Sequence, residues 1–246
     1  MKTRFTSLVI MFVSFIIFTS GQPAGKKVLI FCKTSGFHHA SIATGIKAIQ
    51  ELGNQHNFSV DTTTNADLFT AANLKQYATV IFLSTTGDVL NADQQKAFEA
   101  YIKNGGGFVG VHAATDTEYD WPWYGNLVGA WFKSHPAQQT ATLDVVDSKS
   151  IATKHLPRHW ERKDEWYNFK WMTAEKINVL IRIDEKSYNP GEGAMGDNHP
   201  MSWYHDFDGG RSFYTELGHT DESWSDPLYL QHLLGGIEYA MGARME

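Results

Sequence analysis

The stretch Gly105-Gly106-Gly107-Phe108-Val109-Gly110-Val111-His112-Ala113-Ala114-Thr115-Asp116 constrains the fold more than any other part of this chain. Glycines end a helix, an apolar run without polar alternation makes a strand, and small residues flank a histidine. A strand of that kind is covered on both faces, as in a parallel sheet. The small residues around His112 fit a nucleophile elbow, a sharp strand-to-helix turn that lifts one side chain above the carboxyl edge of the sheet. Hydrolase and amidotransferase elbows carry Ser or Cys at that place. With His112 there, the position is that of an active site, and acyl transfer through a serine ester or a thioester is excluded.

The flanking sequence extends the same architecture. Val28–Cys32 and Val80–Leu83 are buried-type strands, and Phe58–Thr62 is a third. Ile42, Ile46, Ile49 and Leu52 recur at helical spacing behind a capping Ser41, with Gly53 as the expected stop. A short helix is expected over Ala71–Gln76, and Asn91 caps a helix through Phe98, Tyr101 and Ile102 that ends at Asn104-Gly105. Strand–helix alternation implies right-handed crossovers and a doubly wound α/β sheet in three layers. Thr140–Val146 and Ile177–Ile183 read as later strands. Ser202–Phe207 and Ser212–Leu217 form a hairpin around Asp208-Gly209-Gly210, and Pro227–Met241 is a closing helix.

The amino terminus is of a different kind. Lys2 and Arg4, the apolar Leu8–Phe18 and the small Thr19-Ser20-Gly21 form the pattern of a secretory signal peptide over residues 1–21, with cleavage after Gly21. The apolar run is shorter than the ~20 residues of a membrane span, so no membrane association is expected after cleavage. Removing Lys2 and Arg4 takes the formal charge from −6 to about −8. An acidic chain without a basic run argues against nucleic acid as partner. The single Cys32 lies in a strand and reads as a buried residue. Eight Trp within 13% aromatics, many in polar stretches, suit an exported protein with a neutral ligand such as a sugar.

Ligands in doubly wound folds bind beyond the carboxyl ends of the strands, and histidines sit in three of the loops there. Phe37-His38-His39-Ala40 follows the first strand, and only one of His38 and His39 can face inward. His112 is at the elbow, and His219 follows the last strand in Leu217-Gly218-His219-Thr220-Asp221. In elbow enzymes a histidine after a late strand faces the elbow residue and an acid two residues on orients it, which gives Asp221 that role. Facing imidazoles divide proton donation and abstraction, or share a metal ion. Asp116 and Glu165 are candidate acids, Glu165 within Asp164-Glu165-Trp166-Tyr167. Trp166, Tyr167 and Trp203 are candidate sugar-stacking rings, and His199 lies in an irregular stretch before Pro200. Imidazoles with a carboxylate suit a divalent metal, but no HExxH is present. A metal site would be assembled from distant loops, so a cofactor is left open. Thr34-Ser35-Gly36-Phe37 lacks the glycine spacing of a dinucleotide loop.

Taken in order, Phe37-His38-His39-Ala40-Ser41, Gly106 through Asp116, Ser134-His135-Pro136, Asp164-Glu165-Trp166-Tyr167, Pro200-Met201-Ser202-Trp203 and Leu217-Gly218-His219 resemble the ThuA-like (trehalose utilisation) family over residues 26–242. The resemblance implies one flavodoxin-like domain of the class I glutamine amidotransferase-like kind and adds His135 to the substrate-contacting set. It also implies a role in catabolism of trehalose-like disaccharides beside enzymes that make 3-keto sugars. A 3-keto group acidifies the C2 proton, so His219 is the expected base and His112 or Glu165 the acid that supports the enolate or the leaving oxygen, for elimination and hydration or for isomerisation. A non-catalytic sugar-binding domain and a metal-dependent hydrolase of a small polar ligand are the competing readings. Periplasmic or extracellular placement follows from the leader. The oligomeric state is not legible.

Overall fold

The computed structural model of the chain describes residues 25–172 and 177–246; the leader read over residues 1–21 lies outside them. In chain order the elements are β1 (Lys26–Phe31), α1 (Ile42–His56), β2 (Phe58–Thr63), α2 (Ala71–Leu74), β3 (Thr79–Leu83), α3 (Ala92–Lys103), β4 (Gly107–Val111), α4 (Pro122–Val128), β5 (Ala130–Ser134), β6 (Gln139–Val145), β7 (His159–Asp164), β8 (Asn168–Met172), β9 (Asn178–Ile183), β10 (Pro200–Phe207), β11 (Gly210–Thr215) and α5 (Pro227–Ala240).

Nine strands form one sheet in the order β2-β1-β3-β4-β11-β10-β9-β6-β7. The first five are parallel, as the unalternated apolar runs of β1, β3 and β4 require. From β10 onward the sheet continues antiparallel. β5 and β8 pair separately. The β10–β11 hairpin closes at Asp208-Gly209, both with positive φ (49° and 93°), the backbone that Asp-Gly tolerates best. This is the mixed, mostly parallel α/β sheet of a flavodoxin-like three-layer fold.

Packing follows from the crossovers. On one face Phe82 of β3 meets the rings of Phe31, Phe69, Phe98, Phe108 and Tyr124, all fully or almost fully buried. Each such side chain contributes about 2–3 kcal/mol of burial. α3 is secured at its start by a capping box between Asn91 and Gln94. The opposite face is covered by α1 and α5, which touch each other. Two local expectations are corrected. α1 runs past Gly53 to His56 and stops because Asn57 takes the left-handed conformation; Gly53 is needed instead for close approach, since a Cβ there would lie 2.6 Å from the Phe58 carbonyl. Ser41 does not cap α1 with its side chain; its hydroxyl donates to the Gly218 carbonyl across the sheet edge.

Candidate functional site

The strand-to-helix turn at β4 carries the strain of an elbow. His112 has φ +50°, a backbone that costs a non-glycine residue on the order of 1–2 kcal/mol, and it opens a single 3₁₀ turn, His112–Thr115. Its neighbours fix it there. The Tyr214 hydroxyl donates to the His112 carbonyl at 2.7 Å, and His112 Nδ1 lies 2.8 Å from the Glu216 carbonyl. A carbonyl only accepts, so Nδ1 holds the proton and the Nε2 lone pair points into the site.

His219 Nδ1 stands 3.1 Å from that Nε2 and 3.1 Å from Glu165 Oε2, which is itself 3.5 Å from His112 Nε2. The His39 ring approaches His112 and His219 edge-on, with centroids 4.8 and 5.2 Å away. One donor atom from each of His39, His112, Glu165 and His219 lies within 4.8 Å of all the others. His39 and His112 are buried, Glu165 is 6% exposed, and the His219 side chain is 16% exposed. Glu165 extends the cluster outward, because its Oε1 is 3.2 Å from Nδ1 of the half-exposed His135. That same Nδ1 is 2.9 Å from the Pro136 carbonyl. With acceptors on both sides it holds the ring's proton and leaves Nε2 as a base.

Burial alone would raise the Glu165 carboxyl, but hydrogen bonds and charge from His112 and His219 in their protonated forms outweigh it and hold the group well below the usual range. Burial would lower His219, yet the Glu165 carboxylate raises it on balance. His39 is pushed down to about 3 by burial and by the two other imidazoles, so it is a neutral ring. Burial raises Asp116, against a hydrogen bond from Tyr119.

The loop bearing His219 is clamped from three sides. Asp164 Oδ2 accepts from the Gly218 amide at 3.2 Å and from Ser223 Oγ at 2.9 Å, and the Trp224 indole donates to the Gly218 carbonyl. Arg162 reaches Asp226 at 3.2 Å. These contacts bind β7, the last strand of the sheet, back onto the loop after β11, and so bring Glu165 to histidines from the parallel half.

Several expectations are relocated. Asp221 does not orient His219: it is exposed and its carboxylate accepts from Thr44 Oγ1 at 2.7 Å, while the acid on His219 is Glu165. His38 points outward, with Nδ1 3.3 Å from Thr34 Oγ1. His199 is held between Glu185 and the Tyr167 carbonyl, a brace for Tyr167. Trp166 and Trp203 are fully buried and donate to the Gln139 and Val128 carbonyls, so they are core and not sugar platforms. The Tyr167 ring lies beneath His112 at 4.4 Å. Asp116 is half-buried and accepts from Tyr119 at 2.6 Å.

Two residues are added. Glu216 is fully buried, and its Oε1 accepts from the Tyr167 amide; the only trace in sequence is a lone acid at the end of an apolar strand. Phe37 is 65% exposed beside His39, an apolar ring at the mouth of the site. Adjoining His135 is a cavity of about 500 Å³ lined by Lys133, Ser134, Asn168 and Glu192.

The family profile described as ThuA, trehalose utilisation, matches residues 27–240. A ThuA-like protein from Bacteroides uniformis superimposes with a TM-score of 0.76 at 23% identity, covering 91% of this chain and 95% of that one. A ThuA-like protein from Parabacteroides merdae gives 0.74 at 21%, over 90% and 91%. A β-galactosidase from Bacillus circulans sp. alkalophilus shares the fold at a TM-score of 0.59 and 13% identity, over 90% of this chain and 32% of its own. A curated relative, the UPF0231 protein YacL of Shigella flexneri, is 32% identical over 73 residues, and the chain spans 58% of that protein's length.

Proposed function

We propose, on the premise that this chain belongs to the ThuA family of trehalose utilisation, that it is an exported enzyme of carbohydrate catabolism acting on a 3-keto disaccharide or glycoside by histidine acid–base chemistry. One observation carries the reading: the Glu165 carboxylate touches His135 with one oxygen and His219 and His112 with the other. A base and a centre for positive charge therefore stand on either side of one anion.

The substrate's chemistry uses both. His135 Nε2 takes the C2 proton, and the C–H electron pair forms a C2=C3 enolate with its negative charge on the ketone oxygen. Positive charge centred at the His112–His219 pair, which the Glu165 carboxylate favours, stabilises that oxygen, as a preorganised site does best when water is excluded. Collapse of the enolate restores the ketone and expels the C1 oxygen substituent, which takes up a proton; water then adds at C1 and a proton at C2, giving net hydrolysis. Reprotonation of C2 in place of expulsion gives isomerisation. The base is thus His135 and not His219, whose Nδ1 is committed to Glu165 and His112. Phe37 covers an apolar sugar face at the rim.

Purified protein is mixed with 3-keto-trehalose or trehalose in D₂O and followed by NMR. The expected result is C2 exchange and consumption of the keto sugar alone, lowered about 100-fold or more in His135→Asn. Line broadening without exchange would show a binding module and sink the proposal, as would full turnover by His135→Asn.

A further inference from the structure

We propose that His112, His219 and Glu165, with His39 as the fourth ligand, bind a divalent first-row transition-metal ion, and that this ion is the positive charge that meets the ketone oxygen. The proposal rests on the reading of this cluster as the reacting centre, and its geometry stands apart from that reading.

Spacing is the first argument. His112 Nε2, His219 Nδ1 and Glu165 Oε2 form a triangle with sides of 3.1, 3.1 and 3.5 Å. Donors bound at ~2.0–2.1 Å to one ion stand about 2.8–3.4 Å apart, from octahedral to tetrahedral geometry. Hydrogen bonding has only one proton to share among the three corners. A neutral His112 spends its proton on the Glu216 carbonyl, so the three corners hold two inward lone pairs and one N–H. His39 stands farther off, its donor within 4.8 Å of the other three, so its ring closes inward to become the fourth ligand; its Nδ1 is buried with no hydrogen-bond partner. Lone pairs in excess of protons make this set a donor array that a cation can fill.

The surroundings are those of a metal ligand set. His112 donates its other ring N–H to a backbone carbonyl, the outer contact that fixes a ligating imidazole. The second oxygen of Glu165 is held by His135, and the His219 loop is pinned through Gly218. With the ion bound, His219 offers its Nδ1 lone pair and keeps its proton on Nε2. Three imidazoles and one carboxylate favour zinc, iron, cobalt or manganese over magnesium or calcium, which take oxygen ligands. His219 and Glu165 are the ligands that reach the surface, so the ion meets substrate from the side of Phe37 and His135.

The purified chain is stripped with a chelator, dialysed and titrated with Co²⁺ while the visible absorption of the ion is followed, with Zn²⁺ as competitor. One intense Co²⁺ spectrum per chain is expected, erased by Zn²⁺. Glu165→Gln and His219→Asn lower the affinity at least tenfold, and His159→Asn, far out on β7, leaves it unchanged. Circular dichroism on each variant separates lost ligands from lost folding. Absence of one-to-one Co²⁺ binding, or binding indifferent to both ligand variants, overturns the site. Full keto-sugar turnover by the stripped chain overturns the ion's role while the sugar reading stands. Stoichiometric metal without keto-sugar turnover does the reverse.

Discussion

His112 Nδ1 is bonded to the backbone carbonyl of Glu216 at 2.8 Å, and the Glu216 side chain serves a different neighbour, the Tyr167 amide at 3.1 Å. Burial, reinforced by the Asp164 charge, pushes the Glu216 carboxyl well up, which favours its neutral form. Glu216→Gln therefore keeps the stability within about 1 kcal/mol and leaves His112 in place. Glu216→Ala strands the Tyr167 amide and opens a cavity, for a loss of about 2–4 kcal/mol. Urea unfolding of the two variants checks the contrast.

The acid that matters to His219 is Glu165. Asp221→Asn disturbs a surface hydrogen bond with Thr44 and is expected to keep keto-sugar turnover within about threefold of the parent. Glu165→Gln removes the charge between His135 and His219 and lowers kcat about 100-fold or more. Steady-state kinetics on the pair reverses the ranking that chain spacing alone suggests.

Phe37 is expected to act on binding alone. It is an exposed ring at the rim, without hydrogen-bonding groups, so Phe37→Ala raises KM about fivefold, on the order of 1 kcal/mol of lost ring contact, with kcat unchanged.

The parallel half of the fold is legible because its central strands β1, β3 and β4 are apolar runs closed by a capping or turn residue, from Val28 to the elbow at His112. The histidine loops are legible for the same reason, since strand ends fix where such loops go. The choice of acid was not. Asp221 stands two residues from His219 in sequence, whereas Glu165 arrives from the far edge of the sheet, because Arg162 and Asp164 tie β7 to the loop after β11. That tie is tertiary and leaves no local pattern. Trp166 and Trp203 mislead for a related reason. Their polar flanks resemble a ligand-facing stretch, but each indole N–H is satisfied by a backbone carbonyl inside the core.

The glycines ahead of the elbow differ sharply in what they tolerate. A Cβ on Gly107 would stand 2.2 Å from the Ala240 carbonyl, whereas one on Gly105 meets open space. Gly105 is instead required by its φ of +91°. Gly105→Ala should cost about 1–2 kcal/mol of backbone strain. Gly107→Ala forces the end of α5 away from β4 and should cost more, about 3 kcal/mol or above. Thermal unfolding of the two variants tests the order, and equal losses would contradict it.

His232, on α5, makes stability depend on pH. It is fully buried, with Nδ1 2.8 Å from the Ala152 carbonyl, and burial, aided by His155 and Arg162, pushes it down to about 3. The unfolded ring titrates near its ordinary value of 6.5, so between these values the unfolded chain binds the extra proton. This contribution is fully present above pH 6.5 and is lost progressively as the pH falls toward 3, at ~1.4 kcal/mol per pH unit. Between pH 7 and pH 5.5 it accounts for about 1 kcal/mol. His232→Asn keeps a donor for Ala152 but cannot titrate. Whatever it costs at pH 7, its loss of stability on going to pH 5.5 should be smaller than the parent's by that amount. Urea midpoints at the two pH values measure the difference, and parallel slopes would place the acid sensitivity elsewhere in the fold.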